Sequence, residues 1–262
     1  MRRLLALLIA MLCTMFVLPA QAGSTCERVI VSADPAYPPL HWYDGKQFRG
    51  ASIAIITRIL DEIGLPYELR YLGPWKRVLH AAQNGSIDII TTLKSTPERR
   101  SFLLFSELVM NNPVAAFVKK DRPMPYAKWD DLTGLRGGIA RGNRFGSAFD
   151  EYMDSRLHVS ETDNLETAFT MLLANRFDYV ITGYHVGQAY MASANIDDKL
   201  VPLQPFLIES QNLFGFVAQS PCAVHLPAFN RQLEKLHKEG FIERVLLQAR
   251  ADWRKAPVIG KN

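Results

Sequence analysis

Residues 88–106, DIITTLKSTPERRSFLLFS, are the stretch whose reading decides the fold. Ile89 and Ile90 make a short apolar run of the kind that forms a buried strand. The chain then turns hydroxyl-rich at Thr91, Thr92, Ser95 and Thr96, passes a turn at Thr96-Pro97-Glu98-Arg99, and resumes as an apolar strand ending at Phe105-Ser106. A strand that ends in hydroxyls and then presents an arginine suits a carboxylate. Hydroxyls donate single hydrogen bonds, and a guanidinium can grip both oxygens in a charge-assisted fork. Taken by themselves, however, Arg99 and Arg100 are more ordinarily placed on a solvated turn, where most arginines lie.

Upstream, Ile30 to Ala33 is a short β-like run, and the prolines of Asp34-Pro35-Ala36-Tyr37-Pro38-Pro39 force a stiff, extended loop after it. Ile53, Ile56, Leu60 and Ile63 recur at the spacing of one helical face, and Gly64 and Pro66 mark the end of that helix. Tyr67 to Tyr71 alternates as a strand, Trp75 to Ala82 is a second helix, and the next strand begins at Asp88. This β-α-β-α-β order predicts an α/β layer with a mainly parallel sheet.

Downstream, a second unit begins after Val114 to Lys119. Leu135 to Ala140 predicts a strand, followed by the turn Arg141-Gly142-Asn143-Arg144-Phe145-Gly146 and a helix through Met153. Asp163 and Glu166 form a capping-box-like start to a helix reaching Asn175, and Phe177 to Thr182 is a strand. A short echo links the units: Asn84 leads through Ile87-Asp88 into Ile89-Ile90-Thr91, and Asn175 through Phe177-Asp178 into Val180-Ile181-Thr182. Two lobes of similar build follow from it. Leu213 to Val217 is expected as a strand crossing between them, and two amphipathic helices close the chain.

At 262 residues the chain is long enough for two such lobes. Arg2 and Arg3, the apolar stretch Leu4 to Leu18 and Ala20-Gln21-Ala22 have the form of a cleaved export signal, residues 1–22, so a periplasmic location is expected. Neither Cys13 nor Cys26 follows a convincing lipoprotein box. Without Arg2 and Arg3 the balance falls from 30 basic against 26 acidic residues to 28 against 26, too weak for a nucleic-acid partner. Cys26 and Cys222 would be the two remaining cysteines, either bonded to each other or left as buried thiols, and they do not fit a zinc site. Serine-nucleophile, Walker-type and dinucleotide fingerprints are missing, the histidines outside the early loop are scattered singly, and no cofactor is expected.

In this order and spacing the landmarks resemble the family 3 extracellular solute-binding proteins, of the polar amino-acid type that feeds ATP-driven importers. They are Asp34 to Pro39, Gly50, Asn84-Gly85-Ser86-Ile87-Asp88, Thr96-Pro97-Glu98-Arg99 with Phe105-Ser106, and Leu132-Thr133-Gly134 with Arg141-Gly142. The resemblance implies an α/β, two-lobed periplasmic binding protein fold of type II that closes on a small ligand about a hinge of two crossover strands. Lobe 1 would span residues 23–113, lobe 2 residues 114–210, and residues 211–262 would return to complete lobe 1. It also implies roles: Arg99 on the ligand carboxylate, Trp75 as an aromatic wall, and Asp34 and Tyr37 from the early loop. Thr91 and Thr92 would supply hydroxyls, and Gly142-Asn143-Arg144 a second-lobe turn. That turn makes sense unaided, because a glycine-bearing turn at a helix start offers free N–H groups to an anion. By residue type alone, Trp75 would serve equally as a core anchor and Arg144 as an exposed turn residue.

Two departures bear on the ligand. Lys94 stands where a hydroxyl usually precedes the carboxylate arginine by five residues, and Gly183 stands where an acid usually grips the ligand's α-ammonium. The expected ligand is therefore an organic acid, or a modified amino acid whose amine is absent, masked or held by Asp34, with Lys94, Arg99 and Arg144 facing the cleft. The expected partner is an inner-membrane ABC permease or a sensor receptor, and the expected state a monomer. Besides a binding protein, the pattern admits a periplasmic cyclohexadienyl-dehydratase-like enzyme on the same fold. For that chemistry only Asp34 and His41 offer a general acid.

Overall fold

The computed structural model describes residues 25–255; the expected export signal at residues 1–22 and the last seven residues lie outside them. Strand β1 (Val29–Ser32) leads into a small antiparallel sheet of β2 (Ala36–Tyr37), β3 (His41–Tyr43) and β4 (Phe48–Arg49). Helix α1 (Ala51–Glu62) follows, burying Ile55, Ile56, Ile59 and Leu60 on one face, and Gly64 at φ 70° turns the chain out of it. Next come β5 (Tyr67–Leu69), α2 (Trp75–Gln83) and β6 (Ile89–Leu93). The Thr96 to Arg99 segment, expected as a turn, is a one-turn helix α3 (Pro97–Arg100). The Thr96 hydroxyl caps it through the Arg99 N–H, and Pro97 fills its first position. Strands β7 (Leu103–Phe105) and β8 (Met110–Asn111) complete this part of the chain.

The second half runs β9 (Val114–Lys119), β10 (Arg136–Ala140), α4 (Ser147–Arg156), β11 (His158–Thr162), α5 (Leu165–Leu173), β12 (Tyr179–Gly183), α6 (Tyr184–Ala194) and β13 (Leu200–Pro202). The chain then returns through β14 (Gln211–Val217), α7 (Leu226–Lys238) and α8 (Phe241–Lys255). Two large sheets result, ordered β5-β1-β6-β14-β7, with β8 also on β14, and β11-β10-β12-β9-β13. Each has three parallel strands, with the first in the middle, followed by an antiparallel strand from the other half of the connection. Helices cover both faces of each sheet, as parallel strands require. In the first, α1, α7 and α8 pack against one face and α2 against the other.

The internal echo has a physical basis. Asp88 accepts the Ile30 N–H at 2.7 Å and donates its own N–H to the Ile30 carbonyl at 2.8 Å, and Asp178 does the same with Arg136 at 2.9 and 2.8 Å. In both sheets the aspartate before the third parallel strand locks it beside the first.

Leu213 to Val217 does not cross between the lobes. It lies inside the first sheet as β14, between β6 and β7, and its apolar character reflects burial on both faces. The crossing lies just upstream. The two connections run side by side, with Asn112 N–H donating to Ser210 O at 2.8 Å and Val114 N–H to Ile208 O at 2.9 Å. Cys26 and Cys222 are bonded, joining the chain ahead of β1 to the turn after β14. Among the described residues no helix is long and apolar enough to cross a membrane.

Candidate functional site

The carboxyl ends of the parallel strands in the two sheets converge on one cleft, where open α/β sheets bind ligands. Asp34 follows β1, Trp75 begins α2 after β5, Lys94 follows β6, and Asn143, Arg144 and Phe145 follow β10. The lobes touch across it. Gly142, at φ 80°, lies so close to Trp75 that a Cβ there would sit 3.3 Å from the indole, and the Gly142 carbonyl accepts from Arg99 at 3.4 Å. What remains between them is an inner cavity of about 30 Å³, lined by Asp34, Tyr37, His41, Trp75, Thr92, Lys94, Arg99 and residues 143–145, among others. An outer recess of about 330 Å³ shares Arg99 and Arg144 with it.

Arg99 is the centre of the site. Only 5% exposed, it is held by the Lys94 carbonyl at 2.8 Å and lies 5.6 Å from the centre of the Trp75 ring. Burial pushes its pKa down to about 10, with Asp150 and Tyr37 opposing the shift, so it remains charged at neutral pH. Arg100 instead turns outward onto Phe105.

Asp34 is half-buried, with Oδ1 accepting the Ala36 N–H at 2.9 Å, and burial raises its pKa. His41, buried beside it, stacks on Tyr37 and faces two carbonyls, of Asp34 at 2.9 Å and Thr92 at 3.1 Å. Burial holds the imidazole below its ordinary pKa, so at neutral pH it donates to one of these carbonyls at a time. The Tyr37 hydroxyl accepts from Asn112 Nδ2 at 3.2 Å, and burial, then Asp34, raises its pKa.

Three expected contributors stand differently. Thr91 does not reach the cavity: successive strand residues point to opposite faces, and its buried hydroxyl lies on the side away from Thr92, without a partner. Thr92 lines the cavity, but its hydroxyl is engaged with Ser52 at 2.5 Å. The Lys94 side chain passes the cavity wall and places its ammonium between the two crossover segments, on Asn112 O at 2.6 Å and Ser210 Oγ at 2.8 Å.

The Gly142-Asn143-Arg144 turn also departs from expectation. Its helix start is already occupied by an anion of the chain itself: Asp150 accepts the Phe145 and Gly146 N–H groups at 2.8 and 3.1 Å. Gly142 N–H points at Glu161, 3.3 Å away, and Asn143 N–H donates to Ala140 O. Positive charge toward the cleft on this side therefore comes from the half-buried Arg144 side chain.

Position 183 is closed. A Cβ on Gly183 would lie 2.6 and 2.9 Å from the Asn112 amide atoms and 2.9 Å from the Tyr37 hydroxyl, so an acid side chain has no room to start there. His41, Phe145 and Asn112 are the site residues that the sequence did not single out as ligand contacts. His41 carried a signal as a titratable group inside the proline-rich loop; Phe145 and Asn112 carried none.

Residues 29–248 match the family described as bacterial extracellular solute-binding proteins, family 3. Among solved structures, a mutant of ArgBP from T. maritima superposes with a TM-score of 0.73 at 18% identity, over 86% of this chain and 96% of that one. An amino acid ABC transporter substrate-binding protein from Streptococcus pneumoniae, bound to L-arginine, gives 0.72 at 20% identity over 87% and 96%. A histidine kinase sensor domain with similarity to periplasmic binding proteins gives 0.70 at 24% identity over 86% and 95%. At these identities the likeness is one of fold.

Proposed function

Because the chain belongs to the bacterial extracellular solute-binding proteins of family 3, we propose that it captures a small carboxylate-bearing solute in the periplasm and delivers it to an inner-membrane ABC importer. The solute is an organic acid, or an amino-acid derivative whose amine is absent, masked or held by Asp34. It lies between the lobes with its carboxylate on Arg99, its flat or apolar part against Trp75, and Asn143 and Arg144 approaching from the second lobe.

The observation that carries this reading is the contrast between Arg99 and position 183. A buried guanidinium faces the cavity, while position 183, where the family resemblance would put an ammonium-binding acid, is closed by Tyr37 and Asn112. An ammonium taken from water without a carboxylate partner is very costly, and Asp34 is the one carboxylate among the described residues lining the inner cavity. A carboxylate gripped by a desolvated arginine has no such difficulty.

Isothermal titration of unfolded, stripped and refolded protein tests this. Succinate-like and N-acylated acids should bind, Arg99→Ala should abolish their binding, and any residual affinity for a free amino acid should vanish in Asp34→Ala. Tight binding of an unmodified amino acid that survives Asp34→Ala would refute the reading. A dehydratase would have to use Asp34 or His41 as its acid, and loss of prephenate absorbance on incubation with the protein would favour it.

A further inference from the structure

Lys94 has no evident part in holding a solute, yet it is 4% exposed and sits where the two lobes are joined. Its ammonium donates to Asn112 O in the first crossover at 2.6 Å and to Ser210 Oγ in the second at 2.8 Å, with Asn212 Oδ1 at 3.5 Å. An ammonium has three N–H groups, and three acceptors, two from the crossovers and one from the start of β14, surround this one. Asn112, fully buried, is in turn tied to both lobes: its Nδ2 donates to the Tyr37 hydroxyl, and its Oδ1 accepts the His185 N–H at 3.3 Å. The carbonyl of Lys94 takes the Arg99 guanidinium at 2.8 Å. One residue thus touches the arginine of the cleft through its main chain and both hinge segments through its side chain.

We infer that Lys94 is a positioning residue of the hinge: its ammonium clasps the two crossover segments together and thereby sets how far the lobes close over the cleft. The two crossovers must twist for the lobes to part. An ammonium rooted in lobe 1 and bonded to both of them resists that twist, because hydrogen bonds to a buried charge are strong and leaving the charge unmatched is worse. The ammonium is held there at a cost, since burial, and then the nearby charge of Arg99, pushes its pKa down to about 7. The inference rests on the two-lobed binding protein reading but not on the identity of the solute.

The test therefore uses no solute. Nitroxide labels on Gln83→Cys in α2 and Thr170→Cys in α5, both exposed, report the distance between lobes in stripped protein. Lys94→Met keeps the length of the side chain and removes its charge. It should move the distance distribution toward longer, broader separations, and Ser210→Ala, which removes one acceptor, should move it part of the way. A Lys94→Met distribution that superimposes on that of the unsubstituted protein would overturn the inference. If Lys94→Met does not fold, Ser210→Ala decides, and an unshifted distribution there overturns it equally. A merely structural lysine would lower the melting temperature without moving the separation of the lobes.

Discussion

In the proposed reading the cleft selects by exclusion as much as by attraction, and Gly183 is the residue where that is clearest. Its backbone, at φ −58° and ψ 135°, is open to any residue, so glycine is needed there for space and not for conformation. The Asn112 amide and the Tyr37 hydroxyl fill that space, and both are bonded to each other. Gly183→Ala should therefore cost about 1–3 kcal/mol of stability, the usual penalty of overpacking a filled site. Urea unfolding measures it, and an unchanged midpoint would mean that the Asn112 amide can move aside freely. The local window of Arg99, hydroxyls and a Thr-Pro-Glu start before a strand, reads by itself as a solvated turn, and it is the order of landmarks along the whole chain that points Arg99 to the cleft. The hydrogen bonds of His41 to Thr92 and of Asn112 to Tyr37 span 51 and 75 residues. Nothing near either residue in the chain announces such a partner.

Among the elements, the return segment does more than complete the first sheet. The Cys26–Cys222 bond closes a separation of 196 residues, tying the return turn to the start of β1 and leaving α7 and α8 as the helices of the described chain outside that loop. Chain entropy makes such a long closure strongly stabilising, and Cys26→Ser with Cys222→Ser should lose about 2–5 kcal/mol. Thermal unfolding with and without reductant would show it, and coincident curves would refute it. Helix α8 adds a third link between the lobes. Trp253 Nε1 donates to Ala189 O at 3.0 Å, and Arg250 donates to His185 Nδ1 at 2.9 Å, both on α6. His185 must be neutral to accept, and burial, with Arg250 and then Lys94, lowers its pKa from 6.5 to about 4. Between those values the unfolded chain binds more protons than the folded one, so stability is fully present above pH 6.5 and falls as the pH drops through 4. The imidazole is partly exposed, which reduces the effect to about 1–2 kcal/mol. Unfolding at pH 7 and pH 4 should show that loss in the unsubstituted protein and not in His185→Gln; equal losses would remove His185 from the account.

At the scale of the whole molecule, the two-lobed plan was readable because each lobe repeats one topological unit, and the Asp88 and Asp178 segments repeat its most constrained corner. The position of the hinge was not, since an apolar run such as Leu213 to Val217 looks the same whether it crosses between lobes or sits at the centre of a sheet. Net charge says nothing about the ligand either: the charge that matters is local. Arg99 and Arg144 line the inner cavity against Asp34 alone, and burial raises the pKa of Asp34. In a closed cleft such charges are poorly screened and act over the full width of a small solute. Dicarboxylates should therefore bind best, monocarboxylates next, zwitterionic amino acids less well and cationic amino acids least. At a hundredfold excess over its dissociation constant a solute stabilises the folded state by about 2.7 kcal/mol. In a protein of this size that raises the melting temperature by roughly 5–10 °C. A thermal-shift series across the four charge classes should follow that order, and raising the salt concentration should compress it only for solutes that leave the cleft open. L-Arginine giving the largest shift would mean that an acid outside the inner cavity governs selectivity, and the electrostatic argument would fall with it.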